Sequence, residues 1–290
     1  MEKRRLGRTE QMSTVVTFGG AAFMKISQKK ADKAMEVVLE RGINHIDVSP
    51  QYGEAEIRLG PWIEKHRKHF FLGCKTLMRK KTQAKEELFR SLERLRTDHF
   101  DLYQLHQVDE FSELEIAFGP KGAMETILEA RDKGILKYIG ITGHKLSVHI
   151  RALEMFDFDT VMFPFNFIFY SDISYRKEFE KLMELTSKKD VGVVVIKAIA
   201  KGNWKGKYEG LSMLECPYST WYEPFNTKVE IERYLHFALS QKICTVVSPS
   251  DVRLLPMILD AADSFKQMSF ETQNRVLEEA KANKPLEFTF

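Results

Sequence analysis

Cysteine is scarce in this chain of 290 residues, which contains only three. Cys74, Cys216 and Cys244 lie far apart, and no two of them form a CxxC pair. An odd number at this spacing argues against a framework of disulfide bonds and against a metal site built from cysteines. We therefore expect neither.

Long apolar segments are also missing. No apolar run is long enough to cross a bilayer, and the N-terminal sequence MEKRRLGRTEQ lacks the apolar core of a signal peptide. The formal net charge of +3 is too small to indicate a nucleic-acid-binding surface. These features predict a soluble cytoplasmic protein that binds neither nucleic acid nor a membrane.

No linker rich in proline, glycine or serine divides the chain, and short apolar runs alternate with amphipathic stretches instead. The runs cover residues 15–18, 43–49, 70–76, 100–106, 137–143, 160–166, 191–197 and 243–248. Short runs rich in Val, Ile and Phe are typical of buried parallel strands. The stretches with helical periodicity cover residues 27–41, 82–96, 122–133, 147–155, 175–188, 228–239, 251–262 and 269–282.

Eight strands that alternate with helices predict an α/β fold with a parallel sheet. At this length a closed (β/α)8 TIM barrel is favoured, with residues 1–290 as one domain. An open doubly wound sheet would carry GxGxxG after its first strand, whereas this chain has Phe18-Gly19-Gly20-Ala21-Ala22-Phe23. We predict that a short N-terminal β-hairpin near residues 4–12 closes the barrel bottom and that the last helix is an extra one.

The longest stretch without periodicity, residues 201–227, is rich in aromatic side chains. These are Trp204, Tyr208, Trp221, Tyr222 and Phe225. Long loops in compact domains are uncommon and often functional. The stretch is either a wall or lid of a ligand site or a loop that packs on its own side chains, and both interpretations stay open at this point.

Ionisable side chains end three consecutive predicted strands. Asp47 ends the second strand, Lys75 the third and His106 the fourth, while Tyr52 follows in the first connecting loop. Each has an ordinary explanation when taken alone, such as a helix cap, a solvated lysine or simple packing. In barrels of this type the catalytic groups stand at the carboxyl ends of strands, and a buried charge needs a partner. The four residues together therefore indicate an active site.

These segments resemble the aldo-keto reductases. GINHIDVSPQYG at residues 42–53 is similar to the family signature G-x-x-x-x-D-T-A-x-x-Y-G, and residues 88–98 and 101–106 resemble its S-L-x-R-L-x-x-D and D-L-Y-x-x-H segments. CKT at residues 74–76 and RLGRT at residues 5–9 also match. The resemblance covers residues 4–144 strongly and the remainder weakly. It implies the barrel, a monomer, a nicotinamide cofactor and a small-molecule carbonyl substrate.

The resemblance assigns catalytic roles to Asp47, Tyr52, Lys75 and His106. Tyr52 would donate a proton to the carbonyl oxygen, although a free tyrosine has a pKa of about 10. Lys75 would lower that pKa by stabilising the phenolate, Asp47 would hold Lys75, and His106 would orient the carbonyl group. The cofactor would carry the hydride.

The resemblance also implies a set of cofactor-binding positions. The predicted residues are Gly20, Ala21, Asp47, Thr142, Gly143, Asn166, Lys197, Lys201, Ser248 and Arg253. Three positions in this half of the chain depart from the family pattern: Gly143 stands where the family has an asparagine, Met162 where it has a glutamine and Ile196 where many members have a stacking tyrosine. His144 follows directly; it either reaches the site or is a solvated loop histidine, and the second interpretation is the simpler one.

Arg253 is the predicted contact for the 2′-phosphate of NADP(H), with Lys197 and Lys201 as helpers. The neighbouring Asp251 would disfavour an anion there. NADP(H) is favoured by family habit, and NAD(H) stays possible.

The sequence therefore favours an NAD(P)H-dependent reductase of aldehydes or ketones. Two other functions stay open. The altered positions Gly143, Met162 and Ile196 also suit a nucleotide-binding regulatory or scaffold protein without turnover. A buried strand lysine such as Lys75 also suits a lyase or isomerase that forms a Schiff base.

Overall fold

The structure, a computed structural model, describes residues 1–287 and contains a closed barrel of eight parallel strands. Two short strands come first, Lys3–Arg5 (β1) and Met12–Thr14 (β2). The barrel strands are Val16–Gly19 (β3), His45–Asp47 (β4), Phe71–Thr76 (β5), Phe100–Leu105 (β6), Leu136–Thr142 (β7), Thr160–Pro164 (β8), Gly192–Ile196 (β9) and Thr245–Val247 (β12). They are hydrogen-bonded in chain order, and β12 closes the ring against β3. This confirms the predicted (β/α)8 architecture.

Helices surround the barrel. They are Gln28–Glu40 (α1), Ala55–His66 (α2), Lys81–Leu95 (α3), Phe111–Phe118 (α4), Ala123–Asp132 (α5), Leu146–Met155 (α6), Phe167–Ser171 (α7), Ile173–Lys189 (α8), Lys228–Leu239 (α9), Leu255–Asp263 (α10) and Phe270–Glu279 (α11). The last of these is the predicted extra helix. None of the helices in residues 1–287 is long and apolar enough to cross a membrane.

The N-terminal hairpin closes the bottom of the barrel, as predicted. Strands β1 and β2 pair antiparallel, and the connection between them places Leu6 among Phe71, Leu102 and Val194, where it is completely buried. An apolar side chain at this point keeps water out of the barrel interior from below. The barrel is therefore closed at this end.

Helix α2 is absent from the sequence prediction because Gly60 and Pro61 interrupt its pattern. The structure explains the glycine by a close approach of α3. A Cβ atom at residue 60 would lie 2.4 Å from the carbonyl oxygen of Arg94. Helix packing thus requires a residue that weakens the local signal for a helix.

Helix α10 begins at Leu255 and not at residue 251, where the sequence pattern placed its start. The backbone N–H of Arg253 donates to the Asp251 carboxylate at 2.9 Å, which makes a turn of residues 251–254. Pro256 then lies in the first helical turn, where a missing N–H costs nothing.

Part of the aromatic stretch at residues 201–227 packs on its own side chains, and another part lines a cavity. Strands Ala200–Gly202 (β10) and Glu223–Pro224 (β11) form a small hairpin at its base. Trp204 and Tyr208 pack against each other with centroids 5.8 Å apart, while Trp221 and Tyr222 line the cavity described below.

The contact of the N-terminal hairpin with β9 yields a stability prediction. Gly7 has φ +52°, and a Cβ atom there would lie 2.2 Å from the backbone nitrogen of Gly192. Gly42 has a similar φ of +69°, but a Cβ atom there would have no neighbouring atom within 4 Å. We expect Gly42→Ala to cost about 1 kcal/mol from φ alone and Gly7→Ala on the order of 3 kcal/mol because backbone must also move.

Chemical denaturation of the two variants and the parent protein measures both losses. Equal losses would show that the contact between Gly7 and Gly192 does not constrain the hairpin.

Candidate active site

A cavity of about 520 Å³ opens at the carboxyl ends of the barrel strands. The residues that line it are Gly19, Ala21, Met24, Asp47, Gln51, Tyr52, Lys75, His106, Gln107, Thr142, Gly143, His144, Met162, Ile196, Lys197, Trp221, Tyr222, Val247, Ser248, Pro249, Ser250, Leu286 and Glu287. The four residues predicted to be catalytic are all among them.

The floor of the cavity contains a buried ion pair. Asp47 ends β4 and Lys75 lies near the end of the adjacent β5, which brings Nζ of Lys75 to 2.5 Å from Oδ2 of Asp47. The side chains of Lys75 and Asp47 are only 1% and 4% exposed. Nε2 of Gln104, on β6, donates to the other carboxylate oxygen at 3.0 Å. Each oxygen of the carboxylate therefore has a donor, which a buried charge requires.

Lys75 keeps its charge in this environment. Burial lowers the pKa of its ammonium group, but the Asp47 carboxylate opposes burial and the resulting pKa lies above the ordinary value. The ammonium lies 3.4 Å from the hydroxyl oxygen of Tyr52 and 5.0 Å from the centroid of its ring. Tyr52 thus has a permanent cation beside its oxygen.

The pKa of Tyr52 reflects two opposing effects. Burial of the phenol raises its pKa, and the Lys75 charge lowers it, with a net shift above the ordinary value of 10. The sequence argument named only the effect of Lys75. The hydroxyl group is therefore protonated across the neutral range, which is the form that a proton donor needs.

His106, which directly follows β6, is held by a chain of polar side chains. Its Nδ1 lies 3.1 Å from Oγ of Ser49 and 3.4 Å from Oε1 of Gln51. The amide of Gln51 donates to Glu87 at 2.9 Å, which turns its oxygen toward His106 because a carboxylate only accepts. Burial lowers the pKa of His106 well below its usual range, and the charge of Lys75 lowers it further. The imidazole is therefore neutral.

A second polar cluster lies in the wall formed by the ends of β7 and β9. Nδ1 of His144 lies 2.9 Å from Oδ2 of Asp109, and Nζ of Lys197 lies 2.9 Å from Nε2 of the same imidazole. The side chain of His144 is 12% exposed, so the interpretation as a solvated loop histidine is wrong. Burial lowers the pKa of Lys197 to about 7, although Asp109 opposes this shift.

Six of the predicted cofactor-binding residues line the cavity, namely Ala21, Asp47, Thr142, Gly143, Lys197 and Ser248. Gly143 has no room for the family asparagine, because a Cβ atom there would lie 2.4 Å from the carbonyl oxygen of Val108. Oγ of Ser248 accepts a hydrogen bond from the backbone of Gly19 at 3.0 Å. Oγ1 of Thr142 accepts one from the backbone of Gln107 at 3.0 Å.

The other four predicted cofactor-binding residues, Gly20, Asn166, Lys201 and Arg253, do not line this cavity. A Cβ atom at Gly20 would lie 2.9 Å from the side chain of Val48. Lys201 pairs with Glu223 at 2.8 Å. Their roles in binding a cofactor stay predictions.

Asn166 uses its whole amide within the protein. Its oxygen caps α7 by accepting from the backbone N–H groups of Ile168 and Phe169. Its nitrogen donates to the carbonyl oxygens of Lys197 and Ala200 at 3.0 and 3.1 Å. The side chain thus fixes the turn that carries Lys197.

Arg253 is engaged as well. Its guanidinium pairs with Asp251, donates to the carbonyl oxygen of Pro217 at 2.6 Å and lies 4.8 Å from the ring centroid of Tyr218. The side chain remains 60% exposed.

Several site residues were missed by the sequence analysis. Gln104 lies within the recognised DLYQLH segment, two residues before His106, so strand alternation places it on the same face and gives a usable signal. Gln51 lies within the recognised segment at residues 42–53, directly before Tyr52, which is a usable signal as well. Glu87 and Asp109 act through partners that are distant in sequence, and no local pattern marks them.

Within residues 1–287 no group of three or more potential metal ligands occurs.

The chain is similar to several known oxidoreductases. It is 25% identical over 222 residues to an uncharacterized oxidoreductase of Bacillus subtilis and 26% identical over 217 residues to L-galactose dehydrogenase of Arabidopsis thaliana. Each match covers 70% of this chain but only 66% of the relative. The solved structure of an aldo-keto reductase from Bacillus halodurans, in its holo form, shares the fold with a TM-score of 0.75, 22% identity and 98% coverage of both chains.

The sequence model of the aldo/keto reductase family matches residues 15–218. This range runs from the first barrel strand through the Asp47, Tyr52, Lys75 and His106 positions to the aromatic stretch. The chain therefore belongs to the aldo/keto reductase family.

Proposed function

We propose that this protein reduces aldehyde or ketone carbonyls with hydride from a nicotinamide cofactor, with Tyr52 as the proton donor. The observation that carries the proposal is the hydroxyl group of Tyr52, which lies at the cavity floor 3.4 Å from a lysine ammonium that is itself ion-paired to Asp47. This arrangement stabilises the phenolate that remains once the proton has left.

The cavity wall suits a nicotinamide ring and its amide. Met162, Ile196 and Val247 give one apolar side, and Thr142 and Lys197 give polar groups beside it. NAD(P)H supplies the hydride when it is bound. Tyr52 then donates its proton to the carbonyl oxygen, Lys75 stabilises the phenolate, and the neutral imidazole of His106, in the same cavity, limits the orientations that the carbonyl group can take.

The alternative of a lyase or isomerase that uses Lys75 in a Schiff base has less support. A lysine attacks a carbonyl group only as the neutral amine. The Asp47 carboxylate raises the pKa of Lys75 and keeps it as an ammonium ion. The alternative of a binding protein without turnover is motivated by Gly143, Met162 and Ile196. Cofactor binding without reduction of any carbonyl compound would favour it over a reductase.

We also propose that the protein is cytoplasmic and monomeric and that residues 1–290 form one domain. NADP(H) is the favoured cofactor.

The role of Tyr52 predicts a separation of catalysis from binding. Tyr52→Phe removes the proton donor and should lower kcat by about 10²-fold or more, with cofactor affinity nearly unchanged. Tyr222→Phe is a matched control, since this tyrosine lines the same cavity and should keep most activity. The assay is NADPH oxidation with a panel of aldehydes and ketones, beside fluorescence titration of NADPH. Full activity of Tyr52→Phe would refute the role of Tyr52.

The proposed role of Arg253 predicts a change in cofactor preference. If Arg253 binds the 2′-phosphate, Arg253→Gln should weaken NADPH by about tenfold or more relative to NADH, because a charge-assisted contact is lost. The ratio of the two dissociation constants is the readout, since loss of the Pro217 contact could change both equally. An unchanged ratio would show that Arg253 stabilises its loop but does not bind the 2′-phosphate.

The pKa shifts predict the pH dependence of reduction. Tyr52 must be protonated to act, and its pKa lies above 10, so kcat/KM should fall only on the alkaline side. His106 is already neutral because its pKa is far below its usual range, and it should contribute no acid limb near pH 6.5. The measurement is kcat/KM across the pH range with a substrate that does not ionise. A loss of activity as the pH falls through 6.5 would contradict the neutral state assigned to His106.

A further inference from the structure

A chain of hydrogen bonds connects the imidazole of His106 to a buried carboxylate on α3. Nδ1 of His106 lies 3.1 Å from Oγ of Ser49 and 3.4 Å from Oε1 of Gln51. The amide nitrogen of Gln51 reaches Glu87, whose side chain is 3% exposed. The partner of one ring nitrogen decides which of the two nitrogens of a histidine carries the proton. The polar atoms of this chain therefore decide it for His106.

Glu87 acts in this chain as a carboxylate that only accepts hydrogen bonds. Its Oε2 accepts from the hydroxyl group of Thr76 at 2.7 Å and from the backbone N–H of Leu77 at 3.2 Å. Its Oε1 accepts from the amide of Gln51 at 2.9 Å and from Arg90 at 3.2 Å. Four donors leave no acceptor to which a proton on Glu87 could be given. The nitrogen of the Gln51 amide must therefore face Glu87, and its oxygen must face the other way.

The hydroxyl proton of Ser49 is already used within the chain. Oγ of Ser49 lies 2.6 Å from Oε1 of Gln51. At this distance a proton must lie between the two oxygens, and only the hydroxyl group can supply it. Ser49 thus presents a lone pair to His106. Because both atoms in contact with Nδ1 of His106 are acceptors, Nδ1 must carry the ring proton.

The other ring nitrogen of His106 is left without a proton. The ring is neutral because burial lowers the pKa of His106 well below its usual range, and a neutral imidazole has one N–H only. Both hydrogen bonds of the ring to residues 1–287 are made through Nδ1. His106 lines the cavity, so Nε2 offers a lone pair to a ligand there.

Glu87, Gln51 and Ser49 form a relay, in which each side chain fixes the donor and acceptor directions of the next. We propose that this relay holds the proton of His106 on Nδ1 and that Nε2 accepts a hydrogen bond from a hydroxyl group of the substrate. The substrate class that fits is a hydroxy aldehyde or hydroxy ketone. This substrate assignment rests on the proposed reductase function, whereas the position of the proton does not.

The bare nitrogen cannot bind the carbonyl oxygen itself, because both are acceptors. The carbonyl oxygen is left to the hydroxyl group of Tyr52, its proposed proton donor. The rings of Tyr52 and His106 meet edge to face with their centroids 5.9 Å apart, so a carbonyl group bound at Tyr52 has the imidazole beside it. A hydroxyl group on the carbon next to the carbonyl group would donate to Nε2. An acceptor in its place would face the lone pair, which the site disfavours.

Nitrogen NMR of the full chain without cofactor measures the position of the proton directly. The chain has eight histidines, and labelling of histidine with nitrogen-15 makes their ring nitrogens observable. The signals that disappear in His106→Asn belong to His106. Near neutral pH we expect Nδ1 at the chemical shift of a proton-bearing nitrogen and Nε2 at that of a bare nitrogen. The reverse assignment, or an equal mixture, would overturn the proposal.

Glu87→Gln should reverse the relay. The two donors at Oε2 fix the oxygen of the new amide there, so its nitrogen faces Gln51. The Gln51 amide must then turn around and donate to Ser49, whose hydroxyl proton becomes available to Nδ1 of His106. The ring proton should therefore move to Nε2.

Glu93→Gln is the matched control, since Glu93 is exposed on the same helix, and it should leave the proton on Nδ1. Identical His106 spectra for Glu87→Gln and the parent protein would refute the relay. The spectrum of the parent protein decides the position of the proton even if a variant fails to fold.

Hydroxyacetone and methoxyacetone test the substrate assignment, with NADPH and with NADH. The hydroxyl group can donate to Nε2, whereas the ether oxygen only accepts. The parent protein should prefer hydroxyacetone, and the ratio of the two kcat/KM values should fall by about tenfold in Glu87→Gln, because Nε2 of His106 then donates to the ether oxygen. Glu93→Gln should keep the parent ratio. An equal ratio in Glu87→Gln and the parent protein would overturn the assignment of a substrate hydroxyl group.

The outcomes separate this proposal from the reductase function. Reduction of other carbonyl compounds but not of hydroxyacetone would overturn the substrate assignment alone. If no carbonyl compound is reduced, the reductase function and the substrate assignment fail together, and the NMR spectrum of the protein without cofactor still decides whether the relay holds the proton on Nδ1.

Discussion

The ion pair between Asp47 and Lys75 is the interaction on which the cavity depends. Two charges that are almost completely buried cost several kcal/mol each in lost hydration, and only a close geometry with further hydrogen bonds offsets that cost. The barrel supplies the geometry, because β4 and β5 are neighbours and both end at the same rim. Gln104 on β6 completes the hydrogen bonds of Asp47. Removing either charge alone would leave the other without this partner, at a cost of about 3–5 kcal/mol.

Tyr52 receives its chemical character from this pair and from its surroundings together. Burial raises the pKa of the Tyr52 phenol, and the Lys75 cation lowers it. The effect of burial is the larger of the two. The same enclosure keeps His106 neutral beside two cations, Lys75 and Arg79. Low polarity around the site therefore favours neutral acids and bases, and the charge on Lys75 persists because the Asp47 carboxylate is in direct contact with it.

The sequence was sufficient for the parts of the structure that follow local rules. Eight apolar runs predicted the barrel strands, and strand ends predicted that Asp47, Lys75 and His106 meet. It was insufficient where partners come from distant segments. Nothing near His144 in the sequence indicates Asp109, 35 residues earlier, as its partner. Asn166 and Arg253 carried a family expectation, yet local backbone and Asp251 already occupy their polar groups. Helix α2 was hidden by a glycine that its packing on α3 requires.

Two lysines in one cavity show how contact with a carboxylate sets the charge state of a buried ammonium group. Lys75 touches Asp47 and therefore keeps its charge, and it lies beside the Tyr52 hydroxyl, whose phenolate it would stabilise. Lys197 is linked to Asp109 through the imidazole of His144, so burial prevails and its pKa falls to about 7. Direct contact with a carboxylate thus holds the pKa of Lys75 above its ordinary value, whereas burial with the carboxylate one imidazole away leaves the pKa of Lys197 below it.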